Sequence, residues 1–412
     1  MSDNRTIVIV GASLAGASAA ETLRDEGFEG RIVLVGADAE RPYERPPLSK
    51  DYLQGEAERD AAYVHPEGFY GERDIELRVA TRVTAVDTAA SAVVLENGER
   101  LAYDRLLLAT GSEPRALDVT GATLPGVHLL RTLEDADRLR AALDTAHAVV
   151  VIGSGWIGAE VAASARTLGK DVTLVGREPA PLQRALGPEV GAIYRQLHAD
   201  HGVQLVANAE VESIRGHDTV EAVRTTDGRT VDGDLVVVGV GAIPRLELAK
   251  GAGLAVDGGV VTDERLRSSV ESIYAAGDIA AAWHPFFNAR LRVEHWANAT
   301  HQGRLAARNM LGAGASYDRI PYFFSDQFDF GMEYSGYAPV WDQVVFRGDT
   351  VGREFVAFWI HDDRVVAGMN ANIWDLAEPI QALIRSRRPV DPKQLADPEI
   401  PIGDLHREVV SR

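Results

Sequence analysis

Thr6–Gly16 reads TIVIVGASLAG, and Ala148–Gly158 reads AVVVIGSGWIG. Each is a short β-branched run of the kind buried in a parallel sheet, followed by a glycine turn. After the first turn an Ala-rich stretch predicts a helix to about Glu26, stopped by Gly27, with the next strand at RIVLV (Arg31–Val35). After the second, a helix is expected to about Leu168 and a strand at DVTLV (Asp171–Val175). Strand, glycine turn and helix in this order put a helix N-terminus at the turn, where its unpaired N–H groups can face a pyrophosphate. The second copy carries all three fingerprint glycines, Gly153, Gly155 and Gly158, around Trp156 and Ile157. In the first, Gly11 and Gly16 hold the outer places, while Ser13 takes the middle one, where a missing side chain normally lets phosphate approach. A serine hydroxyl can donate to phosphate instead. One such turn is weak evidence, because ordinary α/β sheets also turn on glycine. Two in the same context predict two dinucleotides, one tightly held and one exchangeable.

The repeat continues beyond the fingerprints. LLLATGSEPR (Leu106–Arg115) and VVVGVGAIPR (Val236–Arg245) are both apolar strands that end in a glycine turn and a proline, and read as crossings between nucleotide-binding units. Boundaries near 112 and 243 follow. Residues 1–111 and 243–319 are expected to form one discontinuous nucleotide-binding domain, 112–242 the second, and 320–412 a C-terminal α+β domain. In that last part the texture becomes aromatic-rich and alternating. Glu354–Ile360 and Arg364–Met369 flank a His-Asp-Asp turn and predict an antiparallel hairpin. The fold class expected is α/β, with two Rossmann-like dinucleotide-binding domains plus the C-terminal α+β domain.

Composition narrows the chemistry. With 46% hydrophobic and 25% charged residues, the 412-residue chain has globular proportions, which excludes a disordered or fibrous protein. A net charge of −19 argues against nucleic acid or anionic membrane as partner unless basic residues cluster locally. The cysteine count is zero, which removes disulfide scaffolds, Cys-held metal clusters, thiol nucleophiles and redox dithiols. Any redox chemistry must therefore ride on a bound cofactor. No cleavable leader is evident and no run of about 18 apolar residues occurs, so a soluble, cytoplasmic protein is expected. His198 and His201 pair at what reads as a surface helix end, without acidic or cysteine partners at ligand spacing, and no metal site is expected.

Arg41–Leu53 reads RPYERPPLSKDYL; RTLEDA (Arg131–Ala136), YAAGD (Tyr274–Asp278), VEHWANA (Val293–Ala299) and SDQF (Ser325–Phe328) follow in order. With these motifs the chain resembles, over essentially its full length, the FAD-dependent ferredoxin reductases that feed oxygenases, a glutathione-reductase-like family. The resemblance implies FAD as resident cofactor, NAD(P)H as donor and a small iron–sulfur ferredoxin as partner. It implies that the segment carrying Arg45 and Pro46 runs along the flavin and sets Lys50 beside the hydride-accepting nitrogen, where its charge stabilises the reduced ring. A solvated surface lysine is the plain alternative. Asp278, after Gly277 and at an expected helix N-terminus, is implied to accept from ribityl hydroxyls; a simple helix cap would look the same. By the same resemblance, Leu14, Ala15, Val83, Ala109, Thr110, Gly111, Arg131, Glu294 and His295 join the FAD set, and Gly241 the nicotinamide set. Trp296 is implied to lie close to the flavin, although a tryptophan is as often core. Glu160 is implied to reach back toward flavin, nicotinamide and Lys50, against the alternative of a first-turn carboxylate complementing the helix dipole. One departure weakens the first site: the acid the family often uses on the adenosine ribose is replaced in Gly36-Ala37-Asp38 by alanine, leaving Asp38 or backbone to substitute.

The donor is read at the end of the second fingerprint strand. NAD-specific sites hold a carboxylate there, which grips both ribose hydroxyls and repels a 2′-phosphate. Here the place is taken by Gly176, followed by Arg177, the two changes expected for NADPH. Glu178 keeps NADH open, either by restoring the ribose grip or by pairing with Arg177, and Arg184 is a second candidate phosphate ligand. An acidic ferredoxin meeting a −19 reductase requires local basic patches; Arg290, Arg292, Arg304 and Arg308 form one candidate, and Arg385, Arg387, Arg388 and Lys393 another. Two further classes stay open. One is a flavoprotein reducing quinone or another small molecule, which the charged, Pro-rich tail Asp391–Arg412 does not favour as a membrane anchor; the other is a non-catalytic nicotinamide-sensing flavoprotein. The sequence leaves the oligomeric state unknown.

Overall fold

The computed structural model describes residues 4–405, and the last seven residues of the charged tail lie outside them. The chain divides into two compact units. One comprises residues 1–47, 57–113 and 242–319, the other 48–56, 114–241 and 320–412.

The first unit is built on a five-stranded sheet in the order Ile273–Ala275, Arg105–Leu108, Thr6–Val10, Arg31–Val35 and Ile75–Arg78. Every pairing in it is parallel, and Thr6 lies opposite Arg31 in register. TIVIV and RIVLV form strands with the predicted bounds, because apolar β-branched residues suit a sheet covered on both faces. Alternate residues feed two cores: Ile7, Ile9, Ile32 and Leu34 enter one, and Val8, Val10, Val33 and Val35 the other. The helix after the first strand spans Leu14–Asp25 and packs on the helix Trp296–Met310. Small residues allow this approach: a Cβ on Gly303 would strike the Ala15 carbonyl.

The second unit repeats the plan. Its parallel sheet runs Gln204–Val206, Asp171–Val175, Ala148–Ile152, Leu235–Val238 and Val127–His128. The helix Trp156–Thr167 follows the central strand. The same unit holds a five-stranded antiparallel sheet in the order Tyr322–Gln327, Phe330–Gly336, Arg364–Ala371, Glu354–His361 and Gln343–Asp349. The expected hairpin is its Glu354–His361 and Arg364–Ala371 pair. Phe330, Phe355 and Trp359 on this sheet form one core with Leu186, Val190 and Tyr194 of the helix Gln183–Asp200.

Two local expectations are corrected. Asp278 does not open a helix: it sits in a three-residue 3₁₀ turn, Gly277–Ile279, that leads straight into the strand Ala280–His284. The Ala-rich run after it pairs on both sides, with Val260–Thr262 and Ala289–Leu291. His198 is not at the surface either; it is fully buried, on the face of its helix that carries Val190, Tyr194 and Leu197.

Candidate functional site

In the first unit the fingerprint turn lies where the central strand meets its helix. A Cβ on Gly16 would run into the Gly11 carbonyl, and one on Gly11 into the Ala109 carbonyl, so bare backbone is required at both. Ser13 is the N-cap of the helix, but its hydroxyl does not cap; it accepts from the Arg45 guanidinium. The departure from glycine thus ties a cation to the turn, a combination suited to an anionic ligand. Leu14, Ala15 and Val83 are buried, and Ala109, Thr110 and Gly111 follow the strand Arg105–Leu108. Pro46 opens a short 3₁₀ turn, Pro46–Ser49. Asp38 is half-buried and accepts from the Tyr43 hydroxyl at 2.7 Å and the Glu40 N–H at 3.4 Å. The Gly277 N–H donates to Gln302 Oε1 at 2.9 Å, which fixes the turn that presents Asp278. His295 occupies the N-cap position of the helix that Trp296 begins, without a side-chain capping bond; burial pulls its imidazole down to about 4, opposed by the Asp278 carboxylate, so it is neutral at pH 7. Trp296 is 38% exposed, which a core tryptophan would not be. Glu294 pairs with Arg292.

The second unit holds Lys50 and Glu160, and it brings them together. Lys50 Nζ lies 3.3 Å from Glu160 Oε1, with the two side chains only 11% and 6% exposed. Glu160 stands on the helix of the second fingerprint, beyond its first turn, and is buried, so the reading as an exposed first-turn carboxylate does not hold. Ser49 Oγ donates to Glu160 Oε2 at 2.6 Å and Ser325 Oγ to Oε1 at 2.7 Å. A further turn along the helix, the Ser164 hydroxyl donates to the Ser49 carbonyl at 2.7 Å and anchors the segment carrying Lys50. The Lys50 ammonium also lies 5.3 Å from the centre of the Phe324 ring. Burying such a pair is costly unless its remaining hydrogen bonds are met, and here two hydroxyls meet them. Neighbouring Asp326 has its carboxyl raised above the usual range by burial, against the pull of Lys50. Arg131 lies in this unit too, its N–H bonded to Asp135 ahead of the capped helix Leu133–Thr145.

Residues 5–303 match the family model described as pyridine nucleotide-disulphide oxidoreductase, and residues 322–406 match the reductase C-terminal domain. The chain belongs to the pyridine nucleotide-disulphide oxidoreductases. Putidaredoxin reductase of Pseudomonas putida is 37% identical over 98% of this chain and 97% of its own. The ferredoxin–NAD(+) reductase component of the anthranilate 1,2-dioxygenase system of Burkholderia cepacia is 39% identical over 95% and 97%. A crystal structure of the covalent putidaredoxin reductase–putidaredoxin complex superposes with a TM-score of 0.93, at 37% identity, covering 98% of both chains. Membership implies FAD and a nicotinamide nucleotide, and both glycine cradles fit such ligands. The disulphide branch of this oxidoreductase family is closed to a chain with zero cysteines. Among the described residues, no helix is long and apolar enough to cross a membrane.

In this oxidoreductase the second cradle repeats the first. A Cβ on Gly158 would strike the Gly153 carbonyl, and Gly155 is the N-cap of its helix. Trp156 packs edge-on against Phe323, with ring centroids 4.7 Å apart, while Ile157 is left 45% exposed. Gly241, at the second crossing, is exposed. Gly176 is buried, and a Cβ there would run into Ser154 Oγ and come within 2.8 Å of Ser154 Cβ. Arg177 is 74% exposed; its ion-pair partner is Glu210, not Glu178. The cause is local, because the Ala209 N–H bonds the Gly176 carbonyl at 2.9 Å and sets Glu210 beside Arg177. Arg184 is exposed near the start of the helix Gln183–Asp200 and makes no ion pair among the described residues.

The first candidate basic patch is offset in part by carboxylates. Arg290 donates to the Thr262 and Ala281 carbonyls at 2.6 and 3.0 Å, Arg308 binds Glu26 at 2.7 Å, and Arg292 pairs with Glu294. Arg304 remains exposed. Arg385, Arg387, Arg388 and Lys393 are all exposed in the second unit. Sequence reasoning missed Ser49, Ser325 and Glu210 as site residues. Ser49 adjoins Lys50 and Ser325 opens the SDQF motif, which is the signal they offered; Glu210 offered none.

Proposed function

We propose that this chain is an FAD-dependent reductase that takes hydride from NAD(P)H and passes electrons singly to a small iron–sulfur ferredoxin serving an oxygenase. The observation that carries the reading is the pair of glycine cradles in a chain with zero cysteines: electrons that enter have no thiol to leave by. Of the two relatives named above, one is a putidaredoxin reductase and the other the ferredoxin–NAD(+) reductase component of a dioxygenase system, which supports the choice of acceptor. Bound FAD supplies storage of two electrons and their release one at a time.

The chain's own residues then have distinct tasks. Gly11, Ser13, Leu14, Ala15 and Gly16, with Arg45 and Pro46, would hold the FAD pyrophosphate side, and Asp38 the adenosine ribose. Val83, Ala109 to Gly111, Arg131, Gly277, Asp278 and Glu294 to Trp296 would hold the rest. Lys50 would offset negative charge on the reduced ring, and Glu160 would keep the ammonium in place. The second cradle, with Gly241, would hold the nicotinamide nucleotide. NADPH is the donor we propose, through Arg177 and with Arg184 in support; the name of one relative carries NAD(+), so NADH is the competing donor. The domain division we propose is 1–111 with 243–319 for FAD, 112–242 for the nicotinamide nucleotide, and 320–412 as the C-terminal domain.

Purified protein is expected to carry one non-covalent FAD per chain, to be bleached by NAD(P)H, and to be reoxidised faster by an iron–sulfur ferredoxin than by a quinone. Lys50→Met is expected to keep FAD and slow its reduction. Reoxidation by quinone but not by ferredoxin, or a protein that takes up no flavin, overturns the reading.

A further inference from the structure

The hydrogen bonds on Glu160 do not end at Ser325. Gln327 lies two residues along the same strand, on the same face, and its Nε2 donates to Ser325 Oγ at 3.3 Å. Gln327 Oε1 lies 2.9 Å from His198 Nε2. His198, Gln327, Ser325 and Glu160 are at most 5% exposed. The direction of every bond is determined. Ser325 spends its proton on Glu160, so its oxygen accepts from the Gln327 amide. The Gln327 carbonyl then faces His198, which must carry its ring proton on Nε2. Burial holds that imidazole near 4, so it stays neutral, and its Nδ1 has no hydrogen-bond partner among the described residues. The whole row therefore donates toward one carboxylate.

We propose that Ser325 and Gln327, braced by His198, are positioning residues for Lys50: they fix the Glu160 carboxylate, and through it the ammonium that acts on the flavin. This rests on the reading of Lys50 given above. Two hydroxyls, one from each side, clamp the two oxygens of Glu160, and Lys50 shares Oε1 with Ser325. Removing the Ser325 hydroxyl leaves that oxygen without its aligned donor, so the carboxylate turns about its bond to Ser49 and carries the ammonium with it. The bonds along this row hold one carboxylate geometry only while each of them is made.

The test uses the FAD-loaded Ser325→Ala, Ser325→Thr and Gln327→Leu enzymes beside Lys50→Met, with FAD content, melting temperature, flavin midpoint potential and stopped-flow reduction measured for each. Ser325→Ala is expected to slow reduction per bound flavin by about 10- to 150-fold, as for loss of one hydrogen bond to a charged group. The midpoint potential should become more negative, while the Kd for the nucleotide stays unchanged. Ser325→Thr, which keeps the hydroxyl, should restore the rate, and Gln327→Leu should fall between. If the variants melt earlier but reduce at the wild-type rate with the wild-type potential, the row is only structural and the proposal fails. If Lys50→Met slows reduction and Ser325→Ala does not, positioning alone is refuted; if Lys50→Met also has no effect, the reading of Lys50 falls with it.

Discussion

Arg177→Ala gives the sharpest test of donor choice, and the structure sets its size. A 2′-phosphate has to displace Glu210 from the guanidinium, and that pair is exposed on both sides, at 74% and 55%. Exposed pairs of this kind contribute about 0.2–1 kcal/mol. A charge-assisted bond to phosphate returns about 1.5–3 kcal/mol, which leaves a net of about 0.5–3 kcal/mol in favour of NADPH. Arg177→Ala should therefore lower kcat/KM for NADPH by roughly 2- to 100-fold, while that for NADH stays almost unchanged. Glu210→Gln should act in the opposite direction, raising NADPH affinity by about 1.4- to 5-fold, the worth of the pair that no longer competes. The assay is steady-state kinetics with both nucleotides at low and high salt, plus direct Kd titration with NADP⁺ and NAD⁺. Salt should shrink the Arg177 effect, since exposed charges are screened. A wild-type preference for NADH, with both nucleotides indifferent to Arg177→Ala, refutes the assignment and leaves the reductase reading intact.

Two further outcomes follow from the same geometry. Gly176→Glu alone should weaken binding of both nucleotides, because its Cβ collides with Ser154; combined with Ser154→Gly it should turn preference toward NADH, as measured by the ratio of the two Kd values. Binding of NADH that improves in the single variant argues against that collision. The second outcome concerns acid stability. His198, fully buried, has its imidazole lowered from 6.5 to about 4 by burial. Between those values the unfolded chain binds a proton that the folded chain refuses, so this contribution is full above about 6.5 and is lost as pH falls toward 4, by about 3 kcal/mol at most. His295 and His301 act in the same direction. Urea unfolding of His198→Phe should show a shallower fall in stability from pH 7 to 4.5 than wild type; parallel curves refute it.

What the sequence made legible is what the chain decides locally. Each fingerprint needs only a buried apolar strand, glycines where backbone meets backbone, and a helix behind them, all within about twenty residues. The four flanking strands accordingly fall on the bounds read from their composition. The clamp on Glu160 is the opposite case. Its serines come from positions 111 and 165 residues away in sequence, and no periodicity connects them. Arg177 illustrates the same limit at shorter range: adjacency favoured Glu178, while a backbone bond between two strand ends delivered Glu210, 33 residues on.

At Asp278 and at His198 the tertiary surroundings decide what the local sequence does not. Ile-Ala-Ala-Ala after Asp278 has helical composition, yet strands on both sides claim its backbone, and pairing outweighs a propensity of a few tenths of a kcal/mol per residue. His198 reads as part of a surface helix end when it is taken together with His201 alone. Its spacing from Val190, Tyr194 and Leu197 is eight, four and one, the apolar stripe of an amphipathic helix, which puts it inside. A polar residue on such a stripe has to find partners in the core or lose the free energy of an unmet hydrogen bond. Following that requirement from His198 leads through Gln327 and Ser325 to Glu160. The phase of one helix thus points to a buried polar row that the chemistry of the individual residues did not.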